Sequence, residues 1–206
     1  GLPAPPVLIG HSMGGMVVQK YLERDAAAAG VALMASVPPL GLLSTNLHMA
    51  MRHPFLFAQM GVLSVMGSAC ATPEVVRRLL FSPDMPASAL RRYADRFQPE
   101  SQLVALDMLG GDPLRLDPRA LDMPFLVLGA ADDVFVPPHL VRTTARHYGA
   151  EARVLPDMAH AMMLEANWRD AADALLEWLE RAVAATSPAA LPAARPARPR
   201  RVATRR

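Results

Sequence analysis

One cysteine, Cys70, stands in 206 residues, so no internal disulfide holds the fold together. That usage fits a reducing compartment. No His or Cys cluster has the spacing of a metal site, and no basic-then-apolar stretch near the first residue has the pattern of a secretion signal. Acid is missing from residues 187–206, which hold six arginines among alanines and prolines. Such a stretch buries too little apolar surface to order itself. It reads as a disordered tail, either a basic arm drawn to nucleic acid or anionic lipid or a dispensable end. Set aside, it leaves a body in which acids outnumber bases, and no specific nucleic-acid partner is expected. Charge is missing altogether from residues 54–73. That length could span a bilayer on paper, but Gln59, Gly61, Ser64, Gly67 and Ser68 interrupt it. A buried helix and a helix resting on a lipid surface both remain as readings.

What is present begins with Val7-Leu8-Ile9-Gly10-His11-Ser12-Met13-Gly14-Gly15. A short apolar run leads into Gly-x-Ser-x-Gly and then into a helical pattern over 13–25. The glycines have a physical reason, since a side chain at Gly10 or Gly14 would crowd a sharp strand-to-helix turn. On that helix Met16, Val17, Tyr21 and Leu22 are expected to face a sheet, and Gln19, Lys20, Glu23 and Arg24 to face water. Gly30 reads as its stop. Residues 31–36 are a continuous apolar run, as in a strand covered on both faces, and Pro38-Pro39 end it. Residues 124–129 and 152–156 repeat the strand pattern. Between 40 and 118 no strand is evident. Helices are expected there over 75–81, 87–97 and 99–109, with methionines (Met49, Met51, Met60, Met66, Met85, Met108) and phenylalanines (Phe55, Phe57, Phe81, Phe97) packing this region or lining a cleft. Pro137-Pro138 suit the first turn of a helix running to Tyr148. A last helix begins at Trp168 after Asn167, with Trp168, Ala171, Ala172, Leu175, Leu179 and Val183 near one face.

The stretch Val-Leu-Ile-Gly-His-Ser-Met-Gly-Gly resembles the nucleophile elbow of the α/β-hydrolase superfamily, in the form of its esterase, lysophospholipase and monoacylglycerol-lipase branch. The resemblance implies an α/β fold with a parallel sheet, about four strands of it in this chain. The core would comprise residues 1–39 and 119–186, with a helical cap at 40–118. It makes Ser12 the nucleophile and the Met13 N–H one oxyanion donor. It also implies that the chain matches the C-terminal portion of the fold, with earlier strands and the second oxyanion donor lying upstream. The triad acid falls in Gly129-Ala130-Ala131-Asp132-Asp133-Val134-Phe135-Val136-Pro137. Counting forward from the glycine favours Asp132, and counting back from the proline favours Asp133. Asp133 is the choice, with Asp132 as alternative acid or turn brace. His160, after the last strand and after both Ser and Asp in chain order, is the base. The His11 ring is expected to point away from the Ser12 hydroxyl. No cofactor and no metal are implied.

The expected activity is cleavage of apolar carboxylic esters through an acyl-enzyme. The partner would be a small-molecule or lipid ester, at a cytoplasmic location that becomes peripheral to a membrane if the cap touches lipid. Haloperoxidase, C–C hydrolase and acyltransferase chemistry share such a triad. A non-catalytic interaction module is the reading from a different class.

Overall fold

The structure is a computed structural model and describes residues 2–24, 27–66, 72–94, 96 and 101–185. Cys70, Phe97, the Asp25 end of the first expected helix, the start of the helix expected over 99–109 and the basic tail lie outside the described residues.

Four strands form one parallel sheet in the order β1 (Val7–His11), β2 (Gly30–Met34), β3 (Phe125–Ala130) and β4 (Glu151–Leu155). Neighbouring strands start at their N-terminal ends in register, Val7 opposite Gly30 and Val31 opposite Phe125. Each crossover carries helix, as parallel pairing requires. Strands β2 and β3 are buried along their whole length, and their side chains alternate between two faces. Ala32, Met34, Leu126 and Leu128 face Ala171, Ala174, Trp178 and Ala182 of helix α8 (Trp168–Ala185). Val31, Leu33, Phe125 and Val127 face Val18 and Leu22 of α1 (Met13–Leu22) and Leu140, Val141 and Ala145 of α7 (Pro138–Tyr148). The result is three layers, helix on both sides of a sheet. Among the described residues strand β4 pairs with β3 alone, and it carries charge: Arg153 pairs with Glu151 at 2.6 Å and with Glu177 of α8 at 2.7 Å. Charged side chains on such a strand discourage pairing with another molecule.

Between β2 and β3 the described residues form helices: α2 (Leu42–Arg52), α3 (Pro54–Met66), α4 (Pro73–Leu80), α5 (Ala87–Ala94) and α6 (Gln102–Leu106), followed by a π-type turn over Asp107–Gly111. Helix α2 is not among the helices expected from sequence, and α3 falls within the uncharged stretch 54–73 that reads as a helix. The expected helices at 75–81 and 87–97 appear as α4 and α5, and the third is shorter and kinked, with Gly110 at φ 118°. Helix α3 has 13 residues, and among the described residues no helix is long and apolar enough to cross a membrane. Its Leu56 is buried with Met49, Val75 and Leu79, while Phe55 stands 83% exposed.

Three sequence expectations need correction. On α1 the buried residues are Gly15, Met16, Val18, Gln19 and Leu22, whereas Val17 and Tyr21 are exposed. Gln19 tolerates burial because partners distant in sequence satisfy it. Its amide nitrogen donates to Gly15 O, Ser36 Oγ and Val37 O, and its oxygen accepts from the Tyr148 hydroxyl. Gly30 does not stop a helix. It opens β2, where a Cβ would come within 3.3 Å of Trp178. On α8 the buried anchor is Trp178, and Trp168 is 43% exposed. The Val183 side chain lies outside the described residues.

Candidate active site

The C-terminal ends of the strands gather the unusual backbone. Positive φ at non-glycine residues occurs at Ser12 after β1, Ala35 after β2 and Asp157 after β4. Such strain persists only where the surroundings hold it, and it clusters at functional sites. Ser12 has φ 53° and ψ −121°. Its N–H donates to Met34 O at 3.0 Å, and its carbonyl accepts from Gly15 N and Val37 N, so both neighbouring elements hold the turn.

The glycines around the turn divide differently from expectation. A Cβ at Gly10 would lie 2.6 Å from Gly14 O, and one at Gly15 would lie 2.0 Å from Ser36 Oγ. A Cβ at Gly14 would meet nothing within 4 Å. The close approach of α1 to the sheet therefore depends on Gly10 and Gly15.

Asp133 leaves β3 in a turn that buries its carboxylate fully. Its Oδ1 accepts from Phe135 N at 2.8 Å and Val136 N at 2.9 Å. Its Oδ2 faces His160 Nδ1 at 2.8 Å. An ionised carboxylate only accepts, so Nδ1 carries a proton and the neutral ring presents a lone pair at Nε2. That Nε2 lies 2.9 Å from Ser12 Oγ. Three residues separated by up to 148 positions thus share one chain of hydrogen bonds. Asp132 is not in it: the side chain is exposed, and its backbone N–H donates to Met158 O. The turn is braced by Asp133 itself, not by its neighbour.

The family model of the alpha/beta hydrolase family matches residues 1–174. The chain belongs to the alpha/beta hydrolase family. No curated protein matches it. Among solved structures, a thermophilic esterase from Thermogutta terrifontis with malate bound aligns at TM-score 0.65 and 22% identity, over 86% of this chain and 65% of that one. A bromoperoxidase from Bacillus anthracis aligns at TM-score 0.66 and 18% identity, over 84% and 67%. MenH from S. aureus aligns at 0.59 and 19%, over 86% and 69%. This alpha/beta hydrolase chain therefore spans slightly under two thirds of the esterase.

Around the hydrogen-bonded chain this family member adds contacts that sequence reasoning missed. His11 Nε2 donates to the His160 carbonyl at 2.9 Å, and the two rings lie 5.0 Å apart. Burial lowers the His11 pKa, with the nearby His160 ring acting in the same direction. Phe135 meets the His160 ring edge-on at 5.0 Å. Glu165 is buried and accepts from Ser82 N at 2.7 Å, Ser82 Oγ at 2.8 Å and Ala159 N at 3.3 Å. It joins the loop bearing His160 to the helical region, as does Ala161 N donating to Leu80 O. The one signal for Glu165 in the sequence is an acid alone in the apolar run 158–166.

Beside Met13 lies a cleft of about 170 Å³ lined by Met13, Met16, Val17, Val104 and Met108, with Lys20, Asp107 and Asp112 also at its wall. Of the methionines between β2 and β3, Met108 reaches this cleft, whereas Met49 and Met85 are buried in helix packing. The Met66 side chain lies outside the described residues. Met13 is the first residue of α1, so its N–H belongs to the turn that has no intrahelical acceptor.

Proposed function

We propose that the chain is a serine hydrolase acting on carboxylic esters with apolar acyl groups, of the carboxylesterase or lysophospholipase kind. The observation that carries this reading is the continuous hydrogen-bonded chain from Ser12 through His160 to Asp133. His160 Nε2 takes the Ser12 proton as Oγ attacks the ester carbonyl, and Asp133 stabilises the imidazolium that results. The oxygen that becomes negative is held by the Met13 N–H at the positive end of α1. The protonated His160 then gives its proton to the leaving alcohol, and the C–O bond to that alcohol breaks. Water, deprotonated by the same ring, attacks the acyl-enzyme and releases the acid and Ser12. The methionine and valine side of the cleft beside Met13 favours a hydrocarbon acyl group, with Lys20, Asp107 and Asp112 left for a polar part of the substrate.

The test is labelling by an alkyl fluorophosphonate, with the modified peptide mapped by mass spectrometry. Labelling at Ser12 and its loss in Ser12→Ala are expected. Labelling elsewhere, or none, would overturn the reading. The similarity to a bromoperoxidase supports a second chemistry on the same residues. Bromide-dependent oxidation by peroxide, abolished in Ser12→Ala, would favour it over ester cleavage.

A further inference from the structure

A second group of titratable side chains lies where α2 ends against the loop joining β3 to α7, and ester cleavage leaves it unused. His48 and Arg52 are one turn apart on α2, and His53 follows them. His139 is the second residue of α7. The His48 ring lies 5.2 Å from His139 and 6.1 Å from His53, centroid to centroid. His48, Arg52 and His53 line a cleft of about 480 Å³ whose opposite wall includes Ala131, Asp132 and Asp133.

The charge balance of this cleft is uneven. Two imidazoles, His48 and His53, and the Arg52 guanidinium line it from α2 and its C-terminal extension, and the His139 ring of α7 stands behind His48. Two carboxylates face them from the β3–α7 loop, and that of Asp133 is already occupied by His160, Phe135 N and Val136 N. Asp132 is exposed and offers a weak, screened counter-charge. His139 stands in the first turn of α7, at the positive end of that helix. Burial, followed by the charges of His139, His53 and Arg52, keeps the His48 pKa below its ordinary value. Arg52 alone is outnumbered by the two carboxylates, and protonation of His48 and His53 brings the cations to three against two, which leaves one without a fixed partner. An anion bound between the rings and Arg52 would supply that partner, and proton binding and anion binding would then strengthen each other. A cation is the wrong occupant: among the described residues no group of three His, Cys, Asp or Glu side chains is arranged to hold a metal ion.

We propose that this cleft is an oxyanion-binding site for a phosphate- or sulfate-type group, strengthened as its histidines protonate. The proposal is independent of the hydrolase reading and stands if Ser12 is never labelled.

The experiment follows histidine ring resonances of the full chain by NMR while sodium sulfate is added at pH 5.5 and pH 8.0. Ionic strength is held constant with chloride. Sulfate is divalent at both pH values, so a change in affinity reports on the protein. The resonances of His48, His53 and His139 should move and saturate. His147, at the other end of α7 against Tyr148, should stay still. Affinity should be at least about tenfold higher at pH 5.5, the factor carried by one unit of pKa coupling. Arg52→Gln, at an exposed position, should weaken sulfate about tenfold or more, and Asp132→Asn should strengthen it. Octyl sulfate below its micellar concentration separates two sources of the anion. Much tighter binding than sulfate identifies an amphiphile headgroup, and equal binding identifies a free anion. Parallel shifts at His147, equal affinity at both pH values, or an Arg52→Gln chain of unchanged melting temperature and unchanged affinity would each overturn the proposal.

Discussion

At the scale of single residues, Asp133 and Asp132 separate two roles that adjacent carboxylates could share. Asp133 is sealed from water and has three donors around two oxygens. A buried charge with that many partners is stable as an anion, and its position fixes which nitrogen of His160 carries the proton. Asp132 has an exposed side chain and contributes a backbone bond. Asp133→Asn keeps the shape but offers an N–H toward Nδ1, which favours the wrong tautomer of His160. Ester hydrolysis should fall by about 10⁴ in kcat, as at comparable triads, while Asp132→Asn should stay within about threefold, the scale of a surface change. Steady-state kinetics on a short-chain p-nitrophenyl ester measures both. Equal losses in the two variants would return the assignment to an open choice between them.

At the scale of elements, the strands were legible because their apolar runs, closed by Gly or Pro, are too short for a helix and too apolar for a surface loop. The candidates Ser12, Asp133 or Asp132, and His160 were legible through the family resemblance, which expects such residues after the C-terminal ends of these runs. The phase of α1 was not, because Gln19 looks like a water-facing residue until Ser36, Val37 and Tyr148 are brought to it. Helix α2 was missed because its buried Met49 is matched to Leu56, Val75 and Leu79, which adjacent sequence does not disclose. Glu165 belongs to the same class of non-local fact. It connects the turn after α4 to the residue preceding His160. Glu165→Ala leaves three donors facing a void and should cost about 2–3 kcal/mol, read as a lower urea midpoint. Because Ala159 adjoins His160, the rate of fluorophosphonate labelling should fall as well. Glu165→Gln keeps one acceptor oxygen and should lose less on both measures. A Glu165→Ala chain that labels at the parent rate would show that the loop keeps its position without this connection.

At the scale of the whole molecule, layers held by burial meet polar groups whose protonation sets the pH range of the fold. Burial lowers the pKa of His11 beneath its ordinary 6.5, and burial with neighbouring cationic groups does the same at His48. Below about pH 6.5 the unfolded chain therefore binds protons at these sites that the folded chain resists. Stability should be fully present above that pH and fall as the pH drops. Tyr148 behaves in the opposite sense. Burial raises its pKa above the ordinary 10.0, so above about pH 10 the unfolded chain releases a proton that the folded chain keeps. Stability should fall again as the pH rises through that region. Urea midpoints between pH 5 and pH 11 should trace a plateau with two falling limbs. His11→Gln should flatten the acid limb. Tyr148→Phe should flatten the alkaline one while lowering the plateau by about 1 kcal/mol, since Gln19 Oε1 loses its donor. Limbs that keep their slopes in these two variants would assign the pH response to groups other than these.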